Sequence, residues 1–194
     1  MGYQDSIDTN FNYAHHRTLL CRLHNHQNQL FNRYSKLLML RVDFSYPLGS
    51  NSHSNADRNS VVADMVLLLQ RCHGITELVG YVWVQEYTER HGMHIHAAFY
   101  LNGQKHRKVW RVFETLRDIW KQITNGEGYA FRCAPQDYYQ VKGEWVVSHD
   151  DVKGRRGMQY ILSYLSKTDQ KTEKIIYQLS SVPSQVRCGR PRSG

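Results

Sequence analysis

Several features are missing from this sequence, and each absence excludes a class of protein. No stretch approaches the roughly 18 consecutive apolar residues that a membrane-spanning helix needs, so we expect no contact with a membrane. The four cysteines are scattered without a CxxC pair, which argues against a structural zinc site and favours reduced thiols in a cytoplasm. No GxxxxGK[ST] phosphate-binding loop occurs, and the chain is therefore not expected to contain an NTP-driven motor.

The sequence does contain enough apolar material for one folded domain. Of its 194 residues, 41% are hydrophobic, which is sufficient for a buried core at a length usual for a single domain. The basic residues are unevenly distributed, because residues 153–194 hold nine basic and two acidic side chains and therefore most of the net charge of +8. Such a cluster is typical either of a face that binds phosphates or of a solvated tail.

The hydrophobic periodicity predicts an α+β protein with one antiparallel sheet. Strands are expected at Leu38–Phe44, Val79–Glu86, Met93–Leu101, Tyr129–Arg132, Tyr138–Val141 and Glu144–Val147. Helices are expected around Arg17–Tyr34, Asn59–Cys72, Lys108–Ile123 and Arg155–Ser166. This order, with a hairpin in its middle, is that of a ferredoxin-like sheet with helices on one face. We expect an N-terminal helical extension (residues 1–34), a main domain (35–180) and a basic tail (181–194).

A His-x-His pair lies in the second strand of the predicted hairpin. Alternate residues of a strand share a face, so His94 and His96 point in the same direction. The hairpin folds Glu86, at the end of the preceding strand, back beside His94. Two imidazoles and a carboxylate suit a divalent metal ion that keeps open coordination positions, but two structural histidines would have the same spacing.

A second motif lies on the last predicted helix. At 100° per residue, Tyr160, Tyr164 and Lys167 fall within about 60° of one another, opposite the apolar face. An ordinary amphipathic helix could carry two tyrosines in this way. Beside a metal site, however, a tyrosine hydroxyl, whose pKa is normally near 10, can attack a phosphodiester that the metal ion polarises.

Basic side chains near these motifs are candidates for binding a nucleic-acid backbone. Lys153, Arg155 and Arg156 begin the last helix and could contact phosphates. Arg41 and Asp43, on the polar side of the first strand, could contact DNA or orient a ligand, or they could form cross-strand ion pairs. Three aromatic residues that could stack on unpaired bases, or belong to the sheet core, are Tyr138, Tyr139 and Trp145.

Together these motifs resemble those of the HUH endonucleases, and specifically of rolling-circle replication initiators. The resemblance rests on His94-Ile95-His96 with Glu86 eight positions earlier, followed by the tyrosine and lysine spacing of residues 160–167. The layout around the first strand is most similar to inovirus-type replication proteins, which occur in filamentous phages and bacterial genomic islands. The resemblance covers roughly residues 34–167, which is most of the chain.

The resemblance implies a specific chemistry. His94, His96 and Glu86 would bind Mg²⁺ or Mn²⁺, and Tyr164, with Tyr160 as partner and Lys167 beside it, would cleave one DNA strand. The products would be a 5′-phosphotyrosine and a 3′-hydroxyl that primes synthesis, and a later rejoining would close the strand. The substrate would be single-stranded or cruciform DNA at a replication origin in a bacterial cytoplasm, with a helicase and polymerase supplied by the host.

Other functions fit some of the same residues. A single-tyrosine transposase shares the histidine strand, although the tyrosine and lysine spacing and the longer chain favour an initiator. A conjugative relaxase would place its tyrosine before the histidines. A non-catalytic module could bind or repress an origin without cutting it. A metal-binding structural protein would ignore DNA, and the basic C-terminal region argues against it.

Overall fold

A six-stranded antiparallel sheet forms the centre of the computed structural model, which describes residues 9–136, 141, 143–169 and 174–183. Its strands are β1 (Lys36–Ser45), β2 (Leu78–Thr88), β3 (Gly92–Asn102), β4 (Tyr129–Arg132), β5 (Val146–Ser148) and β6 (Tyr177–Leu179). The strand order is β4-β1-β3-β2-β6, and β5 pairs with the opposite end of β1 from β4. Most of the predicted strand at Tyr138–Val141 and most of the predicted basic tail lie outside the described residues.

Five α-helices accompany the sheet within the described part of the chain. They are α1 (Arg17–Arg33), α2 (Asn51–Asn55), α3 (Arg58–Arg71), α4 (Trp110–Ile123) and α5 (Val152–Ser163). The succession β1-α3-β2-β3-α4-β4, with β1 and β3 in the middle of the sheet, confirms the predicted ferredoxin-like α+β fold. Among these helices, none is both long and apolar enough to cross a membrane.

Helices cover both faces of the sheet, whereas the sequence pattern predicted helices on one face. Helices α3 and α4 pack on the face that carries Leu40 and Ile95. Helices α1 and α5 pack on the opposite face, which carries Met39 and Tyr100. The prediction was wrong because this second face is apolar at one end and polar at the other. Its polar end consists of Arg41, Asp43, Glu86, His94 and His96. In the sequence, these polar residues made the whole face of the sheet look solvent-exposed.

The core between the sheet and helices α3 and α4 should respond strongly to the loss of a central ring. Phe99 on β3 is fully buried and lies edge-to-face against Phe44, with 6.2 Å between ring centroids. We expect Phe99→Ala to lower the free energy of unfolding by about 3–5 kcal/mol, because it removes apolar contacts and leaves a cavity. Urea denaturation followed by circular dichroism would measure the loss. Leu67→Ala, at a site 42% exposed, is the control, and equal losses would contradict the central position of Phe99.

Candidate active site

The polar end of the second face contains a cluster of metal-ligating side chains. Glu86, near the end of β2, lies opposite His94 of β3, and His96 follows two residues later on the same face. One ligand atom of each residue lies within 4.8 Å of the others, and the three residues are buried. The hairpin therefore brings together the three residues that the sequence predicted as ligands.

This cluster, Glu86 with His94 and His96, has the chemistry of a divalent metal site. Oε2 of Glu86 lies 3.3 Å from Nε2 of His96, and the two imidazole rings lie 5.0 Å apart and almost perpendicular. A carboxylate and two imidazole nitrogens are common ligands of divalent cations. The residues present therefore fit a metal ion.

The backbone at the hairpin orients His94. A carbonyl oxygen only accepts hydrogen bonds, so Nδ1 of His94 donates to the carbonyl of Gly92 at 3.0 Å, and Nε2 keeps its lone pair. Gly92 has a φ of +61°, which glycine adopts without steric cost, and a Cβ there would lie 3.0 Å from the His53 ring. Burial lowers the pKa of His94 and so favours the neutral form that metal binding requires.

Asp43 on β1 orients His96 in the same way. The two residues are opposite each other across β1 and β3, and Nδ1 of His96 lies 2.6 Å from Oδ1 of Asp43. Burial opposes the charge of Asp43, but the hydrogen bond from His96 and the Arg41 guanidinium, 3.3 Å away, hold its pKa well below the usual range. An ionised carboxylate only accepts, so Nδ1 is the donor and Nε2 faces Glu86. This carboxylate and histidine pair is typical of metal sites.

Loss of the Asp43 charge should therefore weaken metal binding without removing a ligand. We expect Asp43→Asn to reduce the affinity for Mn²⁺ by about 10- to 100-fold, because the tautomer and ring orientation of His96 are no longer fixed. A Mn²⁺ titration followed by electron paramagnetic resonance would measure the change. Asp118→Asn, at an exposed position on α4, is the matched control. An unchanged affinity in Asp43→Asn would mean that other contacts suffice to hold His96.

The end of the last helix differs from its prediction, and the expected neighbours Tyr164 and Lys167 are in contact there. The pattern predicted a helix to Ser166, but α5 ends at Ser163 and Tyr164–Ser166 form a 3₁₀ turn. Side chains three residues apart eclipse one another in such a turn. Accordingly, Nζ of Lys167 donates a hydrogen bond of 2.7 Å to Oη of Tyr164.

Lys167 connects this tyrosine to the candidate metal ligand Glu86. Its Nζ lies 3.3 Å from Oε2 of Glu86, and the residue is buried, although the helical pattern placed it on the polar face. Burial alone would lower the pKa of Lys167, but the hydrogen bond to Tyr164 and the charge of Glu86 raise it. The ammonium group is therefore charged at neutral pH and can stabilise negative charge that develops on the tyrosine oxygen.

Tyr164 also packs directly against the cluster. Its ring lies edge-to-face on His96, with 5.4 Å between centroids, and the Arg41 guanidinium lies 5.0 Å from its ring centre. Tyr160, one turn earlier on α5, lines a cavity beside Tyr164. Both candidate tyrosines therefore face the same region, and Tyr164 is the one that contacts the candidate ligands.

The predicted DNA-binding residues have different environments. Arg41 is 8% exposed and pairs with Asp43. Arg155 donates from its two terminal nitrogens to the His149 carbonyl and the Asn28 side chain, at 3.0 Å each. Lys153 and Arg156 are exposed. DNA binding by these four residues stays a prediction, and the free surface of Lys153 and Arg156 suits it best.

Of the predicted stacking residues, Tyr138 and Tyr139 lie outside the described residues, and Trp145 is 38% exposed.

Sequence patterns did not indicate that residues 10–16 pack against the turn that carries Tyr164. A ring nitrogen of His15 lies 2.9 Å from Oγ of Ser166, and the Tyr13 ring lies edge-to-face on Tyr164 with 5.6 Å between centroids. The segment has no hydrophobic periodicity, so only its tertiary contacts reveal it. Its aromatic ring next to the candidate nucleophile makes it part of the site.

Comparison with known proteins adds a family to this geometry. Residues 44–169 match the model of a family described as replication-associated protein ORF2/G2P. The matched segment is more than half of the chain and includes the three candidate metal ligands, Tyr160, Tyr164 and Lys167. No curated protein and no solved structure matches the chain. The family match supports a role in the initiation of DNA replication, and the chain belongs to the replication-associated protein ORF2/G2P family.

Proposed function

We propose that this protein is a replication initiator of the HUH endonuclease type, which nicks and rejoins one DNA strand through Tyr164. The observation that carries the proposal is the position of Lys167, whose ammonium contacts both the Tyr164 oxygen and Glu86. A nucleophile, a fixed positive charge and a set of metal ligands are thereby in contact. Family membership supports the role in replication, and the sequence motifs support the inovirus type.

In the proposed reaction, Oη of Tyr164 attacks the phosphorus of one phosphodiester. A bond forms between this oxygen and the 5′-phosphate, and the bond to the 3′-oxygen breaks. Water takes the phenolic proton, and the 3′-oxygen takes a proton from water and leaves as a 3′-hydroxyl. Lys167 stabilises the negative charge on Oη as the proton departs. A Mg²⁺ or Mn²⁺ ion held by Glu86, His94 and His96 would supply Lewis-acid polarisation of the phosphate.

Rejoining is the reverse of this exchange. A 3′-hydroxyl attacks the phosphotyrosine, releases Tyr164 and restores a phosphodiester without an external energy source. Tyr160 is the proposed partner for a second transfer, since it lines the cavity next to Tyr164. A second transfer would close the displaced strand into a circle.

The proposed substrate is single-stranded or cruciform DNA at an origin in a bacterial cytoplasm. A phosphate within a stacked duplex would have difficulty reaching the buried Lys167 and the half-buried Tyr164. Exposed Lys153 and Arg156, at the start of α5, would contact the backbone of the bound strand. Unwinding and synthesis would depend on a host helicase and polymerase.

Covalent trapping on a denaturing gel tests the proposal. Labelled single-stranded oligonucleotides that tile the parent replicon would be incubated with the protein and Mn²⁺, with EDTA as the control. We expect one tile to form a protein–DNA adduct that resists denaturation and disappears in EDTA. DNA binding without an adduct on any tile would overturn the proposal in favour of a non-catalytic origin-binding module.

A further inference from the structure

A cavity of about 500 Å³ lies beside Tyr164. Its walls come from the N-terminal segment around Tyr13, the polar part of β1 with Arg41 and Asp43, and Phe131 on β4. The volume is within the range of about 300–1,000 Å³ that is usual for ligand pockets. The proposed reaction uses only Tyr164 and, in a second transfer, Tyr160 from this lining, so the rest of the cavity needs a separate explanation.

Besides Tyr160 and Tyr164, two further aromatic residues line this cavity. Phe131 lies opposite Asp43 across β1 and β4, which places its ring on the same face of the sheet as His94 and His96. Phe131 is 52% exposed. Tyr13 lies edge-to-face on Tyr164, at 5.6 Å between centroids. Tyr13 is half-buried, and accessible aromatic rings beside a nucleic-acid site offer flat surfaces on which unpaired bases stack.

The charges in the cavity favour an uncharged occupant. Among the described residues that line it, the charged ones are Arg41, Asp43 and Glu144. Arg41 is paired with Asp43, and Glu144 is held by Arg132. The lining therefore has no excess positive charge that would attract a phosphate.

The remaining polar groups of the lining suit the edge of a base. Asn12 and Gln136 are among the lining residues, and their side-chain amides can both donate and accept hydrogen bonds. Such amides pair well with the donor and acceptor pattern of a nucleobase. Flat rings, amides and balanced charge thus describe a site for a neutral, planar, polar-edged molecule.

We propose that this cavity binds one unstacked nucleobase of the DNA strand, adjacent to the phosphate that Tyr164 attacks. This inference rests on the proposed function. Tyr13 and Phe131 contact the faces of the base, and the amides of Asn12 and Gln136 contact its edge. Tyr13 lies outside residues 44–169, so this wall of the cavity is a feature beyond the family match. Base binding here would fix which phosphodiester reaches the nucleophile.

The test is an abasic scan of the oligonucleotide that binds the protein most tightly. Fluorescence anisotropy in EDTA measures the dissociation constant of oligonucleotides that lack one base at each position in turn. We expect one position at which removal of the base weakens binding to the wild-type protein by about 5-fold or more. In Tyr13→Ala, and likewise in Phe131→Ala, binding is weaker from the start and removal of that base has a smaller effect than in the wild type, because one of the contacts with the base is already lost.

Phe11→Ala is the matched control, since Phe11 is 79% exposed, lies two residues from Tyr13 and does not line the cavity. We expect it to bind like the wild type, and in Tyr13→Phe, which keeps the ring, the sensitivity to removal of that base should return. Thermal unfolding identifies a variant that fails to fold, in which case Tyr13→Leu replaces Tyr13→Ala. The proposal is overturned if no position is sensitive, or if the penalty for the abasic position is the same in the wild type and Tyr13→Ala.

Failure of the proposed base site can be distinguished from failure of the proposed nicking function. Loss of coupling with an intact covalent adduct would reject the base site and leave the nickase standing. Coupling without any adduct would support the base site on a protein that binds DNA but does not cut it.

Discussion

Tyr164→Phe is expected to abolish the covalent protein–DNA adduct and to reduce the rate of nicking by more than about 10³-fold. The substitution removes the oxygen that would attack the phosphate and keeps the ring that packs on His96, Tyr13 and Arg41. The fold and the binding of DNA should therefore be preserved. Quantification of the adduct and of the 3′-hydroxyl product on a denaturing gel, with Mn²⁺ present, measures the effect.

Tyr160→Phe is the matched control for this experiment. Tyr160 lies one turn earlier on α5 and lines the neighbouring cavity, so we expect the first cleavage to proceed without it. An adduct that survives in Tyr164→Phe and is lost in Tyr160→Phe would reverse the assignment of the nucleophile. An adduct that survives in both single variants and is lost in the double variant would mean that either tyrosine can attack.

His94→Ala should reduce the affinity for Mn²⁺ by more than about 100-fold, beyond the effect of removing the outer carboxylate of Asp43. The substitution removes one of three candidate ligands from a buried site and leaves Glu86 and His96 with an incomplete set. A Mn²⁺ titration followed by electron paramagnetic resonance measures the loss directly. The covalent adduct should disappear in the same variant, since the phosphate is then no longer polarised.

His91→Ala is the control that separates a ligand from a neighbouring histidine. The His91 ring lies 6.0 Å from that of His94, at the exposed tip of the same hairpin. We expect its loss to leave the Mn²⁺ affinity almost unchanged. Equal affinities for wild type and His94→Ala would contradict a metal site in this cluster, whatever the result for nicking.

The sequence alone determined how Glu86, His94 and His96 are grouped. A strand places alternate side chains on one face, and a hairpin pairs neighbouring segments, so both relations follow from residues close together in the chain. The order of helices and strands likewise determined the ferredoxin-like sheet. These features depend on local periodicity, which a single sequence contains.

Only the tertiary structure decided what surrounds this group. Asp43 reaches His96 because β1 pairs with β3 in one register, and the linear pattern does not state that register. The spacing already placed Lys167 beside Tyr164, but its ammonium reaches Glu86 only because the 3₁₀ turn after α5 packs on the sheet. Periodicity indicates which face of an element is apolar, but the partner that covers the face is chosen by packing between segments distant in sequence. For the same reason, the cavity between Tyr13 and Phe131 exists only in the folded chain.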